Sequence, residues 1–214
     1  MKYWAFDLDG TLVDSFSHYF TALTDIFNEH GAAFSEKLHH SALTESLPLF
    51  FEQHLGATVA TAAMTKLQTR SNDDATRIQP FNGMTALVET LLNQGARVGV
   101  WTNRDLISAK LILEKTGLDR LVEICVSGTC VGQRKPHPEG LVKIIEHFKC
   151  APEHITMVGD HEYDVLGAKE IGARSVRASW HSYWDVEKCT HADFQFHTVS
   201  EFSSWVALAN ERTP

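Results

Sequence analysis

Asp7-Leu8-Asp9-Gly10-Thr11 is the stretch whose reading decides the fold. Two carboxylates stand two positions apart, directly after the apolar run Tyr3-Trp4-Ala5-Phe6, and a Gly-Thr turn follows at once. An apolar run closed by a glycine turn reads as a buried strand ending in a tight loop. In a parallel α/β sheet, the loop at a strand's carboxyl end faces the crevice where ligands bind. Two acids placed there are costly unless something uses their charge. A divalent cation with a phosphate ester is the user this pairing implies.

Outward from this stretch, apolar strand-like runs alternate with helical patterns. Lys2 to Phe6 is the first strand, Val98 to Trp101 the second, Ile124 to Val126 a short third, and Ile155 to Val158 a fourth ending at Gly159-Asp160. Ser175 to Ala178 is one more, and Phe194 to Phe196 a weak last one. Between them lie helical stripes: Met84, Leu87, Val88, Leu91 and Leu92; Leu106, Ala109, Ile112 and Leu113; Leu141, Ile144, Ile145 and Phe148 behind Pro138; and Val165, Ala168 and Ile171. Gly95, Gly117 and Gly172 stand where helix ends favour positive φ. The alternation predicts an α/β fold with a doubly wound, mainly parallel sheet. From Phe16 to Gln79 the rhythm breaks into helical patterns, with Phe16, Phe20, Leu23 and Phe27 on one face. The reading is therefore a sheet domain of residues 1–15 and 80–214, with a helical domain, 16–79, inserted after the first strand and joined by two short connections.

The chain has 214 residues, 43% hydrophobic and 21% charged, which describes an ordinary globular protein. A formal net charge of −8 without a Lys/Arg cluster argues against nucleic acid as a partner. No apolar stretch approaches membrane-spanning length and no signal peptide is recognisable, so a cytoplasmic protein is expected. Cys125, Cys130, Cys150 and Cys189 form no Cys-x-x-Cys pair and read as free thiols. The twelve histidines are scattered and read mostly as surface or cap residues.

Four stations fall at the ends of successive strands and should open onto one sheet edge. Each suits phosphoryl transfer, which depends mainly on positioning and charge stabilisation. Asp7 is the candidate nucleophile. Asp9 is the candidate acid/base, held in place by the Thr11 hydroxyl. Thr102, with Asn103 and neighbouring amides, offers donors to a phosphoryl oxygen, although Thr-Asn after a strand is also a common helix cap. Lys135 brings positive charge. Asp160 would join Asp7 and a backbone carbonyl near Asp9 in holding Mg²⁺, which takes oxygen ligands, with Asp164 either a further ligand or a support behind them. Glu162 and His161 read as neighbours of that site.

Together these stations resemble the haloacid dehalogenase superfamily over nearly the whole chain. Asp7 to Ser15 resembles its first motif almost residue for residue. Thr102 corresponds to the second, Lys135 to the third, and Asp160 with Asp164 to the fourth. The resemblance implies a Rossmann-like core with an all-helical cap inserted between the first two motifs. It also implies a metal site at Asp7, Asp9, Asp160 and Asp164 and a substrate contact from Thr11, Asn103 and Arg104. Dehalogenases of the family lack the second acid of the first motif. The presence of Asp9 therefore implies a Mg²⁺-dependent phosphatase acting on a small phosphorylated metabolite, as monomer or homodimer.

Trp101-Thr102-Asn103-Arg104 and Leu113 to Leu118 resemble phosphoglycolate phosphatase relatives most. The cap segment Leu43 to Pro48 and the stretch Trp180-His181-Ser182-Tyr183-Trp184 depart from them. His39, His40, Glu45 and Arg104 are candidate specificity residues. Two alternatives stay open: a phosphomutase, for which His18 stands one residue out of register with Tyr19 in its place, and a non-catalytic phosphate- or metal-binding module.

Overall fold

Backbone pairing in a computed structural model, described for residues 2–181 and 191–211, builds one six-stranded sheet. Its strands are β1 (Tyr3–Phe6), β4 (Arg97–Trp101), β5 (Ile124–Val126), β6 (Ile155–Gly159), β7 (Arg174–Ala178) and β8 (Phe194–Phe196). Their order is β5-β4-β1-β6-β7-β8, and every neighbouring pair is parallel. A separate two-stranded ladder pairs β2 (Val13–Asp14) with β3 (Gln79–Pro80), antiparallel.

From β1 the chain winds through β4 to β5 on one side, then through β6 and β7 to β8 on the other. The winding direction therefore reverses between β1 and β6, the place where open α/β sheets form a crevice. Register pairs Phe6 with both Val100 and Val158, so the carboxyl ends of β1, β4 and β6 lie level.

Alternation along β1 sorts its side chains to two faces. Tyr3 and Ala5 face α7 (Glu139–Phe148), with the Tyr3 ring 5.7 Å from Phe148 and Ala5 in the core with Ile144. Trp4 and Phe6 face α9 (Val199–Glu211), where the Phe202 ring lies 5.9 and 6.5 Å from theirs. The sequence reading stopped short of α9. Its start carries a reciprocal cap, since Glu201 N donates to Thr198 Oγ1 and the Glu201 carboxylate accepts from Thr198 N. The remaining helices of this unit are α5 (Met84–Asn93), α6 (Leu106–Thr116) and α8 (Glu162–Glu170). Asp105 caps α6 by accepting from Ser108 N.

The chain divides into two units, residues 1–14 with 79–214, and residues 15–78. The second is helical: α1 (Phe16–Glu29), α2 (His39–Thr44), α3 (Leu47–Leu55) and α4 (Ala57–Asp74). Phe20, Leu23, Phe27, Phe50, Phe51 and Leu67 fill its core, and ion pairs Arg70–Asp25 and Lys66–Glu29 join α4 to α1. Pro48 falls in the first turn of α3, where its missing N–H costs nothing. No helix among the described residues is long and apolar enough to cross a membrane. Cys125, Cys130 and Cys150 are free thiols; Cys189 lies outside the described residues.

Trp101, at the end of β4, is fully buried and fixes two glycines. A Cβ on Gly140 would overlap its Nε1, and one on Gly167 would lie 2.5 Å from its Cη2 and 2.7 Å from the Pro136 carbonyl oxygen. Gly140→Ala and Gly167→Ala should each lower stability by about 1–3 kcal/mol, although alanine is the better helix former. Calorimetric melting checks this, and an unchanged melting temperature would contradict the packing.

Candidate active site

Asp7 follows β1 and keeps the strand's pairing, its N–H donating to the Val158 carbonyl at 2.8 Å. The turn after it needs Gly10, whose φ is +74°. Asp160 follows β6, the strand beside β1. Asp164 sits on the first turn of α8, where its Oδ2 accepts from His161 N at 3.1 Å. Gly159 permits this close approach, because a Cβ there would overlap the Asp164 carboxylate. Ligand oxygens of Asp7, Asp160 and Asp164 all lie within 4.8 Å of one another, and all three residues are buried.

Lys135 meets them from the loop after β5. Its ammonium donates to Asp7 Oδ1 and Asp164 Oδ1, both at 2.6 Å, and lies 4.7 Å from the centroid of the Trp101 ring. The side chain is 4% exposed. Asn103 tethers this loop, its Oδ1 accepting from Lys135 N at 3.1 Å. Thr102 is buried at the end of β4, and its Oγ1 accepts from Arg104 N at 3.1 Å. The bond uses an oxygen lone pair and leaves the hydroxyl hydrogen to donate. The cap of α6 is Asp105, so Thr102 does not serve as one.

Asp9 points elsewhere. Both its oxygens accept from Arg104, with Nε at 3.2 and 3.0 Å and Nη2 at 2.6 Å. Burial alone would lower the Arg104 pKa, but Asp9's charge and hydrogen bonds hold it above the ordinary guanidinium range. A bidentate pair of this kind favours ionised Asp9.

Electrostatics of the centre follow from packing three acids around one ammonium. Burial pushes the Asp7 carboxyl well above its usual range; Lys135 opposes this, while Asp164, Asp160 and Asp9 add to it. Burial works to lower the Lys135 pKa, but Asp164 and Asp7 outweigh it and hold the ammonium charged. Buried hard oxygens with too little positive charge among them are a donor set suited to Mg²⁺ or a similar hard cation. The residues present therefore fit the metal that the sequence implies.

Asp7, Thr102, Lys135, Asp160 and Asp164 thus meet at one sheet edge. One expectation is corrected by the geometry. Thr11 does not hold Asp9: beyond the Gly10 turn it is carried towards β6, and its Oγ1 donates to Asp160 Oδ1 at 3.4 Å. The Asp9 carboxylate is not one of the three clustered aspartates and is held by the guanidinium on the loop after β4; the metal contact expected near Asp9 is a backbone carbonyl. Arg104, read as a specificity residue, is engaged by that pair. His39 stacks on Phe20 with ring centroids 3.9 Å apart, inside the helical unit, and Glu45 is exposed. The His40 side chain and residues Ser182 to Trp184 lie outside the described residues.

Two contributors were missed in the sequence. Trp101 carries no site role in the sequence reading, yet it floors the Lys135 ammonium. His181 was read only as part of an unusual stretch, yet its Nε2 lies 3.0 Å from Asp160 Oδ2. Neither sits at a diagnostic spacing from the residues it serves.

Comparison with known proteins agrees with this geometry. The family model described as haloacid dehalogenase-like hydrolase matches residues 5–178. A phosphoglycolate phosphatase of Xanthomonas campestris pv. campestris is 29% identical over 181 residues, covering 82% of this chain and 81% of that protein. Pyrophosphatase PpaX of Bacillus mycoides is 30% identical over 103 residues, 48% of each chain. Among solved structures, a predicted phosphoglycolate phosphatase from Haemophilus somnus superposes with a TM-score of 0.83 at 20% identity, covering 98% of each chain. At that identity the superposition speaks for the fold alone.

Removing the ammonium should leave two facing carboxylates buried without a cation. Lys135→Met is expected to cost about 3–5 kcal/mol in metal-free buffer. Lys135→Met combined with Asp164→Asn should recover part of that loss. Urea unfolding of the single and double variants measures both.

Proposed function

The chain belongs to the haloacid dehalogenase-like hydrolases, on the phosphatase side of that family, and we propose that it is a Mg²⁺-dependent phosphatase of a small phosphomonoester. The observation that carries this reading is the convergence of Asp7, Asp160 and Asp164 oxygens within 4.8 Å, with Lys135 bonded to two of the three. That arrangement combines a nucleophile, oxygen ligands for a cation and a fixed positive charge at the crevice of the sheet.

In the proposed reaction, an Asp7 oxygen attacks phosphorus in line while the bond to the leaving oxygen breaks. The leaving oxygen takes a proton from Asp9. Water then gives a proton back to Asp9 and attacks the aspartyl-phosphate at phosphorus. The bond from phosphorus to the Asp7 oxygen breaks, which releases phosphate and restores the carboxylate. Lys135 and the Thr102 hydroxyl donate to the phosphoryl oxygens and stabilise charge developing there. Mg²⁺, held by Asp7, Asp160 and Asp164, would add positive charge beside the phosphoryl group. Asp9 must carry a proton in the first half-reaction, which its bidentate pair with Arg104 opposes. An anionic substrate competes for Arg104, so substrate binding itself would release Asp9 for proton transfer.

The substrate is placed here as a small phosphorylated metabolite, phosphoglycolate-like or a sugar phosphate. The inserted helices, residues 15–78, are assigned the role of a cap, and cytoplasm is the proposed location. Release of p-nitrophenol from p-nitrophenyl phosphate should require Mg²⁺ and stop in EDTA. Asp7→Asn should lower kcat by at least about 10³-fold. Turnover without a divalent metal, or an active Asp7→Asn variant, would reject the mechanism. Comparing kcat/KM for 2-phosphoglycolate, sugar phosphates, nucleotides and pyrophosphate then names the substrate class.

A further inference from the structure

We propose that His181 is a positioning residue of the metal site: by bonding Asp160 Oδ2 it fixes the rotamer in which that carboxylate faces Asp7 and Asp164. This rests on the reading of Asp160 as a metal ligand. His181 lies beyond the residues matched by the family model, which end at 178.

Geometry carries the proposal. The two side chains are 5% and 3% exposed, and Nε2 lies 3.0 Å from Oδ2. With a proton on Nε2, the ring donates to the carboxylate. Thr11 reaches the other oxygen at 3.4 Å, so the histidine contact is the shorter of these two. An ionised carboxylate has about four lone-pair sites. The His181 and Thr11 contacts, one on each oxygen, hold its plane.

The loop that delivers His181 is braced at several points. Register between β6 and β7 sets Gly159 beside Arg177, so the chain leaves β7 next to Asp160. Ser179 N donates to the Phe196 carbonyl at 2.8 Å. Trp180 Nε1 donates to the Thr11 carbonyl at 3.2 Å, tying this loop to the turn that follows Asp9. Phe81 packs against both residues, its ring centroid 6.3 Å from that of Trp180 and 6.3 Å from that of His181, nearly parallel to the latter at 22°. A ring held this way transmits its orientation to Asp160. Hydrogen-bond partners of metal ligands typically contribute 10–100-fold to metal affinity.

Isothermal titration of the metal-free full chain with Mg²⁺ tests this without substrate or turnover. Wild type should bind one Mg²⁺, and Asp160→Asn should lose it. His181→Ala should raise the Kd about 10–100-fold. His181→Gln, whose side-chain N–H can replace Nε2–H, should stay within about threefold of wild type. Melting in EDTA should be alike for the Ala and Gln variants, separating metal affinity from folding. Should His181→Ala fail to fold, His181→Phe keeps a ring against Phe81 without a donor and is expected to weaken binding equally. An unchanged Kd in the donor-less variant, or equal weakening in the Gln variant, overturns the proposal while the metal reading stands. Wild type that binds no Mg²⁺, or Asp160→Asn that binds it normally, overturns the metal reading and the proposal with it.

Discussion

Three carboxylates cannot share a buried pocket without positive charge among them, and the ammonium of Lys135 is the protein's own share of it. It bonds to Asp7 and Asp164, two of the three clustered acids. Burial pushes the Asp7 carboxyl well above its usual range, and the Lys135 charge opposes that shift. Much of the surrounding structure serves the height and direction of that one amine. Trp101 lies beneath it, Asn103 ties its backbone, and Gly140 and Gly167 admit the indole that supports it. Core packing and site chemistry are therefore one problem in this chain.

The parallel sheet solves the companion problem of bringing distant residues together. Asp7 and Asp160 lie far apart in the sequence, yet β1 and β6 are adjacent and level, so their next residues emerge side by side. Reversal of winding direction at that pair keeps crossover helices away from the opening. Asp9 shows what a shift of two positions does. It leaves the strand's register, enters the turn and finds Arg104 from the neighbouring loop. Two acids in one short motif thereby acquire different partners, the condition under which they can divide nucleophilic and proton-transfer work.

What was legible in the sequence was local. Strands β1, β4 and β6 announce themselves as apolar runs closed by polar turns, and α7 by its Leu141, Ile144, Ile145 and Phe148 stripe. The site stations were legible because each directly follows such a strand. Two-residue strands β2 and β3 carry no period to detect. Helix α9 does carry a signal, Thr198 followed three residues later by Glu201, the spacing of a reciprocal helix cap. Contacts that depend on where a loop turns were not legible: Thr11 reaching Asp160 instead of Asp9, or His181 arriving from beyond β7. The partner in each case is fixed by tertiary direction, which neither composition nor spacing encodes.

The small β2–β3 ladder has a consequence of its own. Val13 pairs with Pro80 and Asp14 with Gln79, so the points where the chain leaves and re-enters the sheet unit are neighbours across a single ladder, about 5 Å apart. To the sheet, everything from Ser15 to Ile78 is the tip of a hairpin. Closing a long tip costs little more than closing a short one, since the entropy grows only logarithmically with length. The insert is in this sense a socketed module. A change in the length of this insert is therefore a small entropic matter for the sheet unit that carries it.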